Sequence, residues 1–238
     1  MALKNISLTI ADGEFMCIIG PSGCGKSTLL RIVANIYQQS SGAINTQKTS
    51  QNGQPLNAMV FQEYALFPWR TVLDNIAFGL EMRGVSRLER LERANYYLNK
   101  IGLSHFAHHY PHQLSGGMKQ RIAIARALAN NPELLLMDEP FGALDAQTRT
   151  ILQEELLRIW NEERKTVLYI THSIEEAILL SDHIALMTAR PGQIKHIYKV
   201  ELPRPRSLKL KTTVAFNNLA QTIWEDLVEE VNKSQTLD

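Results

Sequence analysis

The sequence lacks most of what would mark a secreted, membrane-spanning or nucleic-acid-binding chain. It holds two cysteines, Cys17 and Cys24. That is too few for a disulfide scaffold, and no metal-ligand spacing surrounds them. A reducing cytosolic compartment is the expectation. Charge of one sign is also lacking, since 25 Lys and Arg stand against 24 Asp and Glu. A net charge of +1 advertises neither nucleic acid nor an anionic membrane as a partner. No run approaches the roughly 18 apolar residues of a spanning helix. Ala177-Ile178-Leu179-Leu180, among the best, is broken by Ser181 and Asp182. Met1 to Asn5 contains no apolar signal core, and neither repeats nor low-complexity tracts occur. The expectation is a soluble chain that reaches a membrane only through a partner.

What is present is enough apolar residue, 45%, to bury a core. Leu3 to Ile10 alternates, with Ile6, Leu8 and Ile10 on one face, and reads as a half-buried strand. Phe15 to Ile19 is an apolar run before a Gly-rich loop and a helix through Leu29 to Val33. Ser40 to Asn57 is polar and reads as turns and edge structure, followed by a strand at Ala58 to Phe61. Helices dominate from Thr71 to Asn130. One, capped by Ser86, is expected to bury Leu88, Leu91, Ala94, Leu98 and Ile101, to expose Glu89, Arg90, Glu92 and Arg93, and to end at Gly102. Another follows Ser115. Leu134 to Met137 and Val167 to Ile170 are continuous apolar runs, the pattern of strands covered on both faces. A helix through Ile151 and Ile159 lies between them. Strands follow at Ile184 to Met187 and Gln193 to Val200, then a last helix from about Val214 to Val231. The fold expected is α/β.

Gly20-Pro21-Ser22-Gly23-Cys24-Gly25-Lys26-Ser27-Thr28 fits the phosphate-loop spacing, with an apolar strand before it and a helix after. Glycines let backbone N–H groups turn toward phosphates, and the helix N-terminus adds partial positive charge. Lys26 would reach the β- and γ-phosphates, and the Ser27 hydroxyl would bind Mg2+. No Asn-Lys-x-Asp guanine reader occurs, which favours ATP. Cys24, inside the loop, reads first as a small loop residue with no redox role; the alternative is a thiol whose cationic surroundings lower its pKa, so that alkylation blocks ATP hydrolysis.

Asp138 and Glu139 end an apolar strand. Beside a phosphate loop, Asp138 would hold Mg2+ through water and Glu139 would act as general base on the attacking water. His172 closes the next apolar strand, where α/β ligand sites collect. By position alone a satisfied polar residue is the favoured reading of His172, and Gln62, after the strand at 58–61, is ambiguous by itself. Ser115-Gly116-Gly117 opens a helix and forms a second anion-binding end. Two such ends in one chain make sense if two subunits sandwich a nucleotide.

Leu114-Ser115-Gly116-Gly117-Met118-Lys119-Gln120-Arg121, lying between the phosphate loop and the acidic strand, resembles the signature of ABC transporter ATPase subunits. Met118 stands where Gln is common. The likeness runs to about Pro203. It implies a P-loop NTPase core with a mainly parallel sheet, a small antiparallel β subdomain and an inserted helical subdomain. The implied division is 1–65 and 131–202 for the core, 66–130 for the helical part and 203–238 for a C-terminal extension. It also makes Gln62 a Mg2+ contact and sensor of the membrane partner. Asp145, in Gly142-Ala143-Leu144-Asp145, becomes a contact across a dimer, and His172 a contact to the γ-phosphate, catalytic alongside Glu139 and Lys26. Ser115, Gly116 and Gly117 would serve the nucleotide bound by the other copy.

Tyr64, Leu66, Phe67, Pro68 and Trp69 follow Gln62, and aromatics there suggest a permease contact, the alternative being core packing of the helical block. This stretch and His112 to Arg121 resemble importers of nitrate, sulfonates, taurine or bicarbonate. The resemblance implies ATP and Mg2+ as cofactors and a second ATPase subunit, identical or related. It further implies an integral-membrane permease, indirectly a substrate-binding protein, and a peripheral place on the cytoplasmic face of the membrane. Nucleic-acid or ribosome ATPases of this superfamily commonly carry two cassettes or a coiled coil, absent here. A phosphotransferase would not need the Ser115 helix end, and a non-catalytic cassette would not need Lys26 and Glu139. Relatives usually carry a further strand and an adenine-stacking aromatic before Leu3. Neither is found here, so weak nucleotide affinity is expected.

Overall fold

A computed structural model describes residues 1–46 and 54–235. Its elements are β1 (Phe15–Ile19), α1 (Lys26–Val33), β2 (Asn57–Val60), α2 (Val72–Met82), α3 (Arg87–Lys100), α4 (Gly116–Ala129) and β3 (Leu134–Asp138). They continue with α5 (Ala146–Glu163), β4 (Thr166–Ile170), α6 (Ile174–Leu180), β5 (His183–Met187), β6 (Ile194–Lys199) and α7 (Val214–Gln235). The chain folds as two compact units, one of Met1–Asn45, Leu136–Glu139 and Leu156–Asp238, the other of Thr46–Leu135 and Pro140–Glu155.

In the first unit the strands lie in the order β3-β4-β1-β5-β6. β1 runs parallel to both β4 and β5, with Cys17 opposite Tyr169 and Ile184. Its five residues are all buried, as a central strand covered on both faces must be. The antiparallel pairing in this unit is β5 with the edge strand β6. Phe15 packs on Trp160 and Tyr169, each with ring centroids 5.7 Å away. Asp182 accepts the Phe15 N–H and is held in turn by Arg204, whose guanidinium lies 4.1 Å from the Trp160 ring centroid. Arg206, buried, donates to the carbonyls of Ile178, Ser181, Val200 and Leu202. Those bonds satisfy backbone acceptors at the end of α6 and beyond β6, and they fasten the segment leading to α7.

Leu3 to Ile10 does not form a strand. The alternation is real, since Ile6, Leu8 and Ile10 are half-buried. Among the described residues, however, the only ladder contact of this stretch is the Leu3–Gly192 bridge. Asn5, at φ +51°, turns the backbone out of the extended region just after it. Residues 47–53, in the middle of the polar stretch between Ser40 and Asn57, lie outside the described residues.

The second unit is helical apart from β2 and the start of β3. Thr71, Ser86 and Ser115 cap α2, α3 and α4, each side chain accepting a backbone N–H from the first turn. Ala94, Leu98 and Ile101 are buried as expected. Leu88 is not, at 82% exposed, and Tyr97 occupies the core instead. The apolar stripe therefore begins one turn later, and Arg90 and Arg93 lie at its half-buried margin.

Candidate functional site

The site of the first unit is built where β1, β3 and β4 end. β1 runs into the loop at Gly20, and the loop closes as α1 begins. Gly25 precedes α1 with φ +107°, a conformation open to glycine, and a Cβ there would sit 2.7 Å from Leu3 Cδ2. Lys26 opens the helix almost fully buried, its Nζ donating to the carbonyls of Gly20 and Pro21 at 2.9 Å each. These bonds close the loop into a ring around the ammonium. Ser22 and Gly23 are exposed, while Pro21 and Cys24 are buried.

Ser27 Oγ donates to Asp138 Oδ1 at 2.9 Å. Burial raises the Asp138 pKa, and the Ser27 bond and the Arg31 charge oppose it. A hydroxyl and a carboxylate oxygen so close form a hard donor set, suited to Mg2+ completed by water and phosphate oxygens. The next residue, Glu139, adopts φ +44°, a conformation that is strained in a non-glycine residue and that clusters at active sites. Its N–H donates to the Ile170 carbonyl, and its Oε2 lies 3.1 Å from Nδ1 of His172. The His172 side chain is 61% exposed. A carboxylate and an imidazole are thus paired at an accessible strand end, beside the hydroxyl–carboxylate pair and the phosphate loop. Such a group can hold a triphosphate, a hard cation and a water to be deprotonated.

The structure separates the two readings of Cys24. Burial pushes the Cys24 thiol up, outweighing the lowering by Lys26. Cys24 is 1% exposed, so the structure favours the packed loop residue over the reactive thiol. Phe15, fully buried in β1, offers no face to a base.

The second unit gathers a different set. Ser115 is exposed at the tip of α4, its Oγ accepting the Met118 N–H at 3.4 Å. A Cβ on Gly116 would stand 2.7 Å from the Tyr64 hydroxyl, and one on Gly117 2.6 Å from Thr148 Cγ2. A side chain at either position would have to displace the Tyr64 hydroxyl or the Thr148 methyl. Asp145 accepts the Thr148 N–H at 3.0 Å, and that bond, first among several, holds its carboxyl below the usual range. It therefore caps the start of α5. Gln62 is exposed.

Of the residues after Gln62, Pro68 and Trp69 are exposed, Trp69 at 72%, while Tyr64, Leu66 and Phe67 are half-buried. Phe67 packs 4.4 Å from Phe78. Two residues that sequence reasoning missed shape this segment. Asn75, fully buried, accepts the Phe67 N–H at 2.8 Å. Its amide nitrogen lies within 3.2 Å of the Phe67, Arg70 and Thr71 carbonyls. Arg126 donates to the Ala65 and Tyr64 carbonyls. The signal available in sequence was a lone amide among Val72, Ile76, Ala77 and Leu80 on the buried face of α2.

Residues 3–142 match the family model described as ABC transporter. An uncharacterized ABC transporter ATP-binding protein of Methanocaldococcus jannaschii is 51% identical over 98% of this chain and 86% of its own length. The nitrate import ATP-binding protein NrtD of Synechocystis is 47% identical over 91% of this chain and 84% of its own. A taurine import ATP-binding protein, TauB, of Yersinia pestis is 48% identical over 81% and 76%. Among solved structures, a dimeric bacterial ABC transporter cassette superposes with TM-score 0.72 at 38% identity, covering 85% of this chain and 92% of that one. A dimeric cassette in a post-hydrolysis state, bound to ADP and Pi, superposes with TM-score 0.70 at 36% identity and the same coverage.

Proposed function

The chain belongs to the ABC transporter family as one of its ATP-binding, ATP-hydrolysing subunits, and on that premise we propose that two copies, or this chain and a related one, sandwich ATP to power import of a small anion. The observation that carries this reading is the pairing of Ser27 with Asp138, and of Glu139 with His172, beside the phosphate loop. Loop N–H groups and Lys26 would bind the phosphates. Ser27 and Asp138 would hold Mg2+, which supplies charge neutralisation at the transferring phosphoryl group. Glu139 Oε2 would take the proton of the attacking water, with His172 orienting that carboxylate and facing the γ-phosphate. Most of the rate would come from positioning and electrostatics.

The Ser115 tip of α4 has the chemistry to complete the nucleotide site of a partner copy, and Asp145 would lie near that contact. Gln62 and the Tyr64 to Trp69 segment would face the permease, with Trp69 as anchor. Nitrate and taurine import relatives support a small inorganic or organic anion as cargo. The subunit would then sit peripherally on the cytoplasmic face of the membrane. Glu139→Gln should bind ATP while hydrolysis falls at least about a hundredfold, and should elute as an ATP-dependent dimer. Turnover at the parent rate would refute the assigned base. Co-purification with an integral membrane protein, then uptake of nitrate against taurine in vesicles holding both, tests partner and cargo.

A further inference from the structure

The phosphate loop is packed by a turn after β5, and that turn is held in its place by α7. β5 ends at Met187 and the chain makes a closed turn through residues 188–193. Thr188 N–H donates to the Gln193 carbonyl at 2.9 Å, and Thr188 Oγ1 accepts the Gln193 N–H at 3.0 Å. Gly192 of this turn lies against the loop so closely that a Cβ would meet the Cys24 carbonyl oxygen at 2.2 Å. That carbonyl belongs to the same planar peptide as the Gly25 N–H. Whatever fixes the carbonyl also fixes the direction of an N–H at the start of α1, where phosphate donors are needed.

The turn is itself held from the far end of the chain. Glu230 of α7 is 2% exposed. Its Oε2 accepts the Ala189 N–H at 3.1 Å, and its Oε1 lies 2.9 Å from Lys233 Nζ and 3.2 Å from Lys195 Nζ. A buried carboxylate kept charged by two ammonium groups is a strong acceptor for one N–H. Glu230 lies far beyond residues 3–142, which the family model covers.

We propose that Glu230 is a positioning residue for nucleotide binding: it seats the 188–193 turn through Ala189, and Gly192 of that turn braces the phosphate loop at Cys24. The inference rests on Gly20 to Thr28 being the phosphate loop. α7 is then a brace that sets how well the loop grips phosphate, as well as a cover for the core.

The test is titration of the full chain with ADP, which probes the loop without hydrolysis, together with thermal melting. Glu230→Ala removes the acceptor and should weaken ADP about tenfold. Glu230→Gln retains an amide oxygen for the Ala189 N–H and should stay within about twofold of the parent. Glu230→Asp, one methylene shorter, should behave like the alanine variant and serves if that variant does not fold. A lowered melting temperature with unchanged ADP affinity in Glu230→Ala would reduce Glu230 to a structural role and overturn the proposal. Equal affinities for Glu230→Asp and Glu230→Gln would do the same. Failure of the parent chain to bind ADP would instead overturn the phosphate-loop reading beneath it.

Discussion

Cys24 illustrates how a residue's neighbours in sequence mislead about its chemistry. Lys26 is two residues away and does lower the thiol's pKa, but burial has the larger effect and the net shift is upward. The nucleophile is the thiolate, so native protein at pH 8 should react with iodoacetamide far more slowly than a free thiol. Unfolding in guanidinium should restore the ordinary rate. Rapid native labelling of Cys24, followed by peptide mass spectrometry, would contradict the packing. At this scale Lys26, Ser27, Asp138 and Glu139 were legible because the spacing and flanking strands that reveal them are local. The pairing of His172 with Glu139, 33 positions apart, depends on β3 and β4 being neighbours, and their sequences do not state it.

The strands were readable because continuous apolar runs have few alternatives in a domain of this size. β1 was placed to the residue, and β3 to β6 to within one residue at each end. Alternation alone was a poorer guide. Leu3 to Ile10 keeps a strand's side-chain pattern but, among the described residues, has no partner beyond Gly192. Leu88 fits the apolar repeat of α3 yet projects into solvent, because the helix packs from Ala94 onward. Asn75 shows what periodicity cannot reveal, a buried amide whose partners are the carbonyls of a preceding loop. Asn75→Ala should cost about 2–3 kcal/mol in urea unfolding and loosen the segment that carries Trp69. A change under about 0.5 kcal/mol would show that water replaces the amide.

For the whole molecule, the buried thiols and phenol make stability fall in alkali. Burial raises the Cys17 and Cys24 pKa values above 9.0 and that of Tyr169 above 10.0. The unfolded chain therefore releases these protons first, and the folded state is the one that retains them. Stability is fully present below the ordinary thiol value and falls as pH rises past about 9. Melting temperature should drop steadily between pH 8 and pH 10.5. A flat profile would mean that the folded chain yields these protons as readily as the unfolded one.

The Tyr64 hydroxyl resting on Gly116 ties the two positions together. A methyl group at 116 collides with that oxygen at 2.7 Å, but stands 3.7 Å from the ring carbon that bears it. Gly116→Ala should therefore destabilise the parent chain and be largely forgiven when Tyr64→Phe accompanies it. The stability of one position is thus conditional on the residue at the other, and a double-mutant cycle in urea unfolding should show the two changes to be non-additive.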